Sequence, residues 1–107
     1  MDVLTTLQQW YLSQCNEEWE HSRGISIGTL DNPGWLIEVD LAGTDLDGIP
    51  FTGRRYGIGD NGHPVGRNWL DCKVEGSKFR GYGGPEKLNE LITVFLEWAQ
   101  ANLKFSG

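Results

Sequence analysis

This chain has no long apolar run. None of its 107 residues lie in a stretch approaching the ~20 needed for a membrane-crossing helix. The start, Met-Asp-Val-Leu, carries no basic segment, so no secretory signal is visible and the cytosol is the expected compartment. Cysteine is scarce: Cys15 and Cys72 fit neither a zinc pattern nor a CxxC pair, and two reduced thiols, at least one in the core, are expected. Histidine is scarce too, with only His21 and His63. No Gly-x-Ser-x-Gly occurs, and no serine, histidine and acid fall in a recognisable nucleophile context. Gly81-Tyr82-Gly83-Gly84-Pro85-Glu86 opens a helix as a phosphate loop would. It is not followed by Gly-Lys-Ser/Thr, and Glu86 puts negative charge where an anion would sit, so it reads as a strand-to-helix turn. Internal repeats and low-complexity segments are absent.

Basic residues are missing from the first half. Residues 1–53 hold nine acids and a single base, Arg23, a net charge of −8; residues 54–107 carry +2. Phosphate binding needs a basic surface, so nucleic acid is not the expected partner. A basic protein partner suits the acidic half, because opposite charge steers encounter. Hydrophobic residues at 38% and charged residues at 22% are ordinary for a globular protein and exclude the disordered and fibrous classes. The length predicts one domain, 1–107.

The periodicity sketches an α+β fold. Val3, Leu4, Leu7, Trp10, Tyr11 and Cys15 form a helical stripe over residues 2–15, with Asp2 as N-cap and Asn16 as stop. From Gly24 the period changes to two. Ile25 and Ile27 precede an Asp-Asn-Pro-Gly turn at 31–34, in which Pro33 pre-sets its φ and Gly34 is expected to supply positive φ. A second strand follows with Trp35, Ile37, Val39 and Leu41 on one face and Glu38 and Asp40 on the other. Further strands are expected near 51–58, 69–75 and 78–82, the last two joined by a Gly76-Ser77 turn. Leu88, Leu91, Ile92, Phe95, Trp98, Ala99 and Leu103 give the clearest helix, 86–103, with Pro85 in its first turn. The sum is a two-layer sandwich: a mostly antiparallel five-stranded meander with the N-terminal and C-terminal helices packed on one face.

Five tryptophans are many for this length. Trp10, Trp35 and Trp98 sit on apolar stripes. Trp19 lies among Glu17, Glu18 and Glu20, and Trp69 falls on the polar face of its strand, so both are candidates for exposed interface anchors. Trp19 packed back across a helix end is the competing expectation.

The segments Trp-Tyr-Leu-Ser-Gln-Cys (10–15), Glu-Trp-Glu-His (18–21), Leu-Asp-Asn-Pro-Gly-Trp (30–35), Trp-Leu-Asp-Cys (69–72), Gly-Gly-Pro-Glu (83–86) and Phe-Leu-Glu-Trp (95–98) carry a resemblance. In their order and spacing the chain resembles the immunity protein 53 family of bacterial polymorphic toxin systems. The resemblance implies a small cytoplasmic protein, not an enzyme, that blocks a cognate toxin domain by stoichiometric occlusion. On that reading an acidic surface of Glu17, Glu18, Glu20, Glu38, Asp40, Asp45 and Asp47 opposes a basic toxin, and Trp19 or Trp69 adds apolar contact. No catalytic residue, cofactor or metal is expected, and a monomer is the default. Two other classes stand beside it: a small-ligand- or metal-binding domain or enzyme built on the acid cluster 17–21 with the 57–66 loop, and a general interaction adaptor.

Overall fold

The computed structural model describes residues 2–102. Helix α1 (Val3–Gln14) begins where Asp2 Oδ2 accepts from Thr5 N at 3.3 Å and Thr5 Oγ1 at 2.9 Å, the expected cap. Its buried stripe is Leu7, Trp10 and Gln14. Leu4 is half exposed, so the stripe is narrower than the apolar pattern suggests. A four-residue helix, α2 (Trp19–Ser22), follows, then strands β1 (Ile25–Leu30), β2 (Gly34–Asp40), β3 (Arg54–Tyr56), β4 (Leu70–Glu75) and β5 (Lys78–Gly83), and helix α3 (Leu88–Ala101).

The five strands form one sheet, antiparallel at every pairing. Its order is β1-β2-β5-β4-β3, not the consecutive order of a simple meander. The β1–β2 hairpin comes from the first half of the chain and the β3–β4–β5 meander from the second. They join along β2 and β5. The connection 41–53 therefore has to travel from the sheet's interior to its far edge. It does so as part of the core: Leu41 and Leu46 are each 1% exposed. Phe51 packs edge-on against Phe79 (5.4 Å between centroids) and Trp98 (5.1 Å).

One sheet face is covered. Helix α3 lies over β2, β5 and β4 and buries Leu91, Ile92, Phe95, Trp98 and Ala99, the stripe expected from the sequence. Leu103 of that stripe lies outside the described residues. Glycine lets α3 approach β5: a Cβ at Gly81 would meet Leu91 Cδ2 and Ile37 Cγ2 at 3.0 Å, and one at Gly83 would meet Lys87 Cβ at 2.8 Å. Helix α1 lies against α3 on the same side, Trp10 meeting Phe95 edge-on at 4.9 Å. The result is the two-layer α+β sandwich read from the periodicity.

Local departures have local causes. Gly34 has no positive φ; it opens β2, where a Cβ would strike Gly83 O and crowd the Trp69 ring. Helix α3 starts at Leu88 rather than 86 because Gly84–Lys87 closes as a turn, Lys87 N donating to Gly84 O at 3.0 Å. Strand β3 is shorter than 51–58, since Phe51 leaves the sheet line to pack on Trp98 and Gly53 has φ +89°. The Gly76-Ser77 turn has positive φ at both residues (53° and 65°), the combination a two-residue type I′ hairpin needs.

Candidate functional site

The acidic stretch after α1 is an ordered turn. Asn16 Oδ1 accepts from the amides of Glu18 and Trp19, both at 3.0 Å. Glu20 reaches back, its carboxylate accepting from Asn16 N at 2.8 Å and Glu17 N at 2.6 Å. These bonds satisfy amides that have no intrahelical partner. They also hold the Glu20 carboxyl below the usual glutamate range, its own amide contributing most and those of Asn16 and Glu17 adding to it. Glu17 adopts φ +75°, a left-handed backbone uncommon outside glycine. Its side chain and that of Glu18 are exposed and enter no hydrogen bond or ion pair among the described residues.

Trp19 is not an exposed anchor: it is 2% exposed. Its ring meets Trp10 edge-on at 6.0 Å and Tyr11 at 5.5 Å, and its Nε1 donates to Asp40 O at 3.2 Å. The short helix turns its neighbours Glu18 and Glu20 outward while the indole points in. Trp69 is buried as well, at 5%. Strand β4 begins one residue later, and the Trp69 ring lies beside the side-chain-free backbones of Gly34 and Gly84. The burial of Trp69 corrects the expectation of a surface anchor, and that of Trp19 decides between its two expectations for the ring packed back across the helix end.

The acids of the 41–53 connection come to the same edge. Gln14, 7% exposed, clamps Asp45 reciprocally: Gln14 Nε2 donates to Asp45 Oδ2 at 3.2 Å, and Asp45 N donates to Gln14 Oε1 at 3.0 Å. Asp47 Oδ2 accepts from Gly43 N at 3.4 Å, and Gly43 in turn lies beside the Trp19 ring. Glu17, Glu18, Asp45 and Asp47 are thus tied to one end of the molecule through Gln14 and Trp19. None of the four has a cationic partner among the described residues.

Glu38 and Asp40 belong to a different surface. They sit on the uncovered sheet face, where Glu38 Oε2 lies 3.3 Å from Arg80 Nε and Asp40 Oδ1 lies 3.7 Å from Lys78 Nζ. Asp40 Oδ2 also accepts from Gly24 N at 3.0 Å. The chain's uneven charge is partly cancelled along this seam, the acidic β2 meeting the basic β5. The same face carries Arg55 with Asp71 at 4.0 Å, Lys73 with Glu75 at 3.7 Å, and Lys73 over the Tyr82 ring at 5.9 Å. Exposed pairs of this kind contribute ~1 kcal/mol or less each, so the face is balanced rather than acidic. Period-two reading of β2 already placed Glu38 and Asp40 together on one face; their partners needed the strand order.

The family model of immunity protein 53 matches residues 4–100. The chain belongs to the immunity protein 53 family. The matched span reaches from the first turn of α1 to the last turn of α3 and takes in every strand. A comparison with the curated proteins gives no match, and neither does one with the solved structures. For this immunity protein the remaining chemistry-bearing residues are dispersed. Among the described residues no group of three or more His, Cys, Asp and Glu side chains comes together to hold a metal ion. Cys15 Sγ donates to Tyr11 O at 3.3 Å. Cys72 is buried among apolar side chains, and burial pushes its thiol up to about 12, so it is a packing residue and not a nucleophile. Among the described residues no helix is long and apolar enough to cross a membrane. An apolar groove of about 230 Å³ separates α1 from α3, lined by Thr6, Trp10, Ser13, Leu96, Ala99 and Gln100. Gln9 completes its lining, and no charged side chain is among these residues.

Proposed function

We propose that this single-domain protein acts in the bacterial cytoplasm as a non-catalytic antidote, binding a cognate toxin domain stoichiometrically and occluding it. Membership of an immunity protein family supports the role. The edge formed by Glu17, Glu18, Asp45 and Asp47 is the surface that meets the toxin. One observation carries this choice: four exposed carboxylates, on two segments that Gln14 and Trp19 hold to one end of the molecule, have no cationic partner among the described residues. Glu20, Glu38 and Asp40 contribute less, because backbone amides engage both Glu20 oxygens and basic side chains pair with Glu38 and Asp40, whereas Asp45 and Asp47 each accept through one oxygen alone. Trp19 acts from beneath by fixing the backbone that presents the acids, whereas Trp69 lies at the other end of the sheet, beside Gly34 and Gly84. Leu12, 67% exposed on the last turn of α1, supplies apolar contact beside the charge.

A surface of this kind speeds association more than it deepens affinity, and the gain is screened by salt. The test is stopped-flow binding to the toxin domain encoded beside the immunity gene. The association rate should fall by about tenfold or more between low and high salt. Neutralising the four acids together (Glu17→Gln, Glu18→Gln, Asp45→Asn, Asp47→Asn) should abolish most of that dependence. A rate that stays flat with salt in the unmodified protein refutes the acidic edge. A lack of binding to the neighbouring product refutes the antidote role itself.

A further inference from the structure

Among the described residues the sheet ends at β1 in an open edge whose pattern is self-complementary. Asp40 N donates to Gly24 O at 3.0 Å, so Gly24 and, by alternation, Ser26, Gly28 and Leu30 turn their backbone groups toward β2. Ile25, Ile27 and Thr29 therefore direct their N–H and C=O groups outward. Natural edges are usually blunted by lysine, proline, bulges or short length. The other edge of this sheet obeys that rule: β3 has three residues, two of them arginines. β1 does not. It runs for six residues, Ile-Ser-Ile-Gly-Thr-Leu, without a charge or a proline. Helix α3 covers β2, β5 and β4, and Ile27 on that side of the sheet is left 43% exposed, while its cross-strand neighbour Ile37 is fully buried.

We infer that β1 is a dimerisation edge, on which a second copy of this chain pairs its own β1 antiparallel about a two-fold axis through Ile27. In that register Ile25 opposes Thr29 of the second copy and Ile27 opposes Ile27. Each of these residues has its backbone groups pointing outward, so the ladder closes. Ser26 meets Gly28 on the open face, where nothing obstructs approach. The decisive feature lies just outside the strand. The same register sets Arg23 opposite Asp31 of the second copy, and symmetry repeats the pair. Both side chains are exposed, and neither has an ion-pair partner among the described residues. A foreign strand would satisfy the same backbone groups but has no reason to bring an acid to Arg23 and a base to Asp31 together. A slip of two residues in either direction loses the opposition of Arg23 and Asp31, even where it sets Ile25 against Ile27. The isologous arrangement joins two sheets into one continuous sheet and leaves no further β1 edge open.

Pairing of single strands buries little surface, under about 1,200 Å² in total, the range of weak complexes. The dimer is therefore concentration-dependent. Sedimentation velocity of the full chain over a concentration series, without toxin, should show a dimer that grows with concentration. Ile27→Lys places two like charges at the axis and should abolish it. Arg23→Asp should weaken it by about tenfold through two opposed pairs, and Arg23→Asp with Asp31→Arg should restore it. All three residues changed are exposed, and a thermal melt of each variant checks that the monomer fold is kept. A wild-type chain that sediments as a monomer at every concentration overturns the inference. So does a dimer that survives Ile27→Lys, or one indifferent to the single charge reversal. The readout is independent of the antidote role, so either can fail without the other.

Discussion

Trp19 is the most informative single residue to remove. Its indole is 2% exposed, touches Trp10 and Tyr11, and donates to Asp40 O. Truncating a buried tryptophan to alanine costs about 3–5 kcal/mol in lost transfer energy and cavity. A domain of this size has only about 5–15 kcal/mol in total. With about 4 kcal/mol removed and a slope near 2 kcal/mol per molar, the urea midpoint should fall by roughly 2 M. The melting temperature should drop by about 15–30 °C. Trp19→Phe keeps most of the ring and loses the bond to Asp40 O, so its cost should be only about 1–2 kcal/mol. Equilibrium urea denaturation followed by circular dichroism measures all three proteins. The reasoning is refuted if Trp19→Ala melts within about 1 kcal/mol of the parent. If toxin protection vanished at unchanged stability, the ring would belong to an interface and not to the core.

Two further outcomes follow from the geometry. A Cβ at Gly84 would strike Arg67 O, so Gly84→Ala should cost about 2–3 kcal/mol by forced backbone shift; Gly28→Ala, with open space around it, should stay within about 0.5 kcal/mol, and equal effects in the two urea titrations would contradict the close approach. The Glu20 carboxyl is depressed by its own amide and those of Asn16 and Glu17, so its stabilising contribution is complete above the ordinary glutamate value and is lost as pH falls through the lower folded value. The stability gap between the parent and Glu20→Gln should therefore be open at neutral pH and close on strong acidification; a gap that does not change with pH would show that the carboxylate charge plays no part in the turn.

The sequence made α3 legible because a wide apolar stripe at helical period has one way to be buried, and Leu91, Ile92, Phe95 and Trp98 took it. Strand β4 was legible for the same reason at period two, with Leu70 and Cys72 inside. Trp19 was harder. Its acidic neighbours describe the outside of a single helical turn, and nothing in a four-residue segment reveals which side the one aromatic residue faces. Trp69 misled because alternation assumes that a polar face is uniformly open, whereas glycines at 34 and 84 make a slot at one end of it. The strand order was not legible at all. It depends on which edges remain unpaired once each hairpin has formed, and 37 residues lie between the end of β2 and the start of β5. The site follows the same division. The acids were readable as residues, but their sorting into free and neutralised groups needed Gln14, Arg80 and Lys78 in place.

Because β5 lies at the centre of the sheet but is made last among the strands, the order of synthesis runs against the order of packing. Until residues 78–83 have left the ribosome, β2 has an open edge and β4 lacks its hairpin partner. Only then can α3, the next element, cover Ile37 and Phe79. Such long-range closure is slow and leaves apolar edges uncovered in the meantime. A chain cut short before β5 is not a weaker antidote but an unfinished sheet, prone to join its neighbours. Production of this protein is all or nothing, and the segment from β5 through α3 decides which.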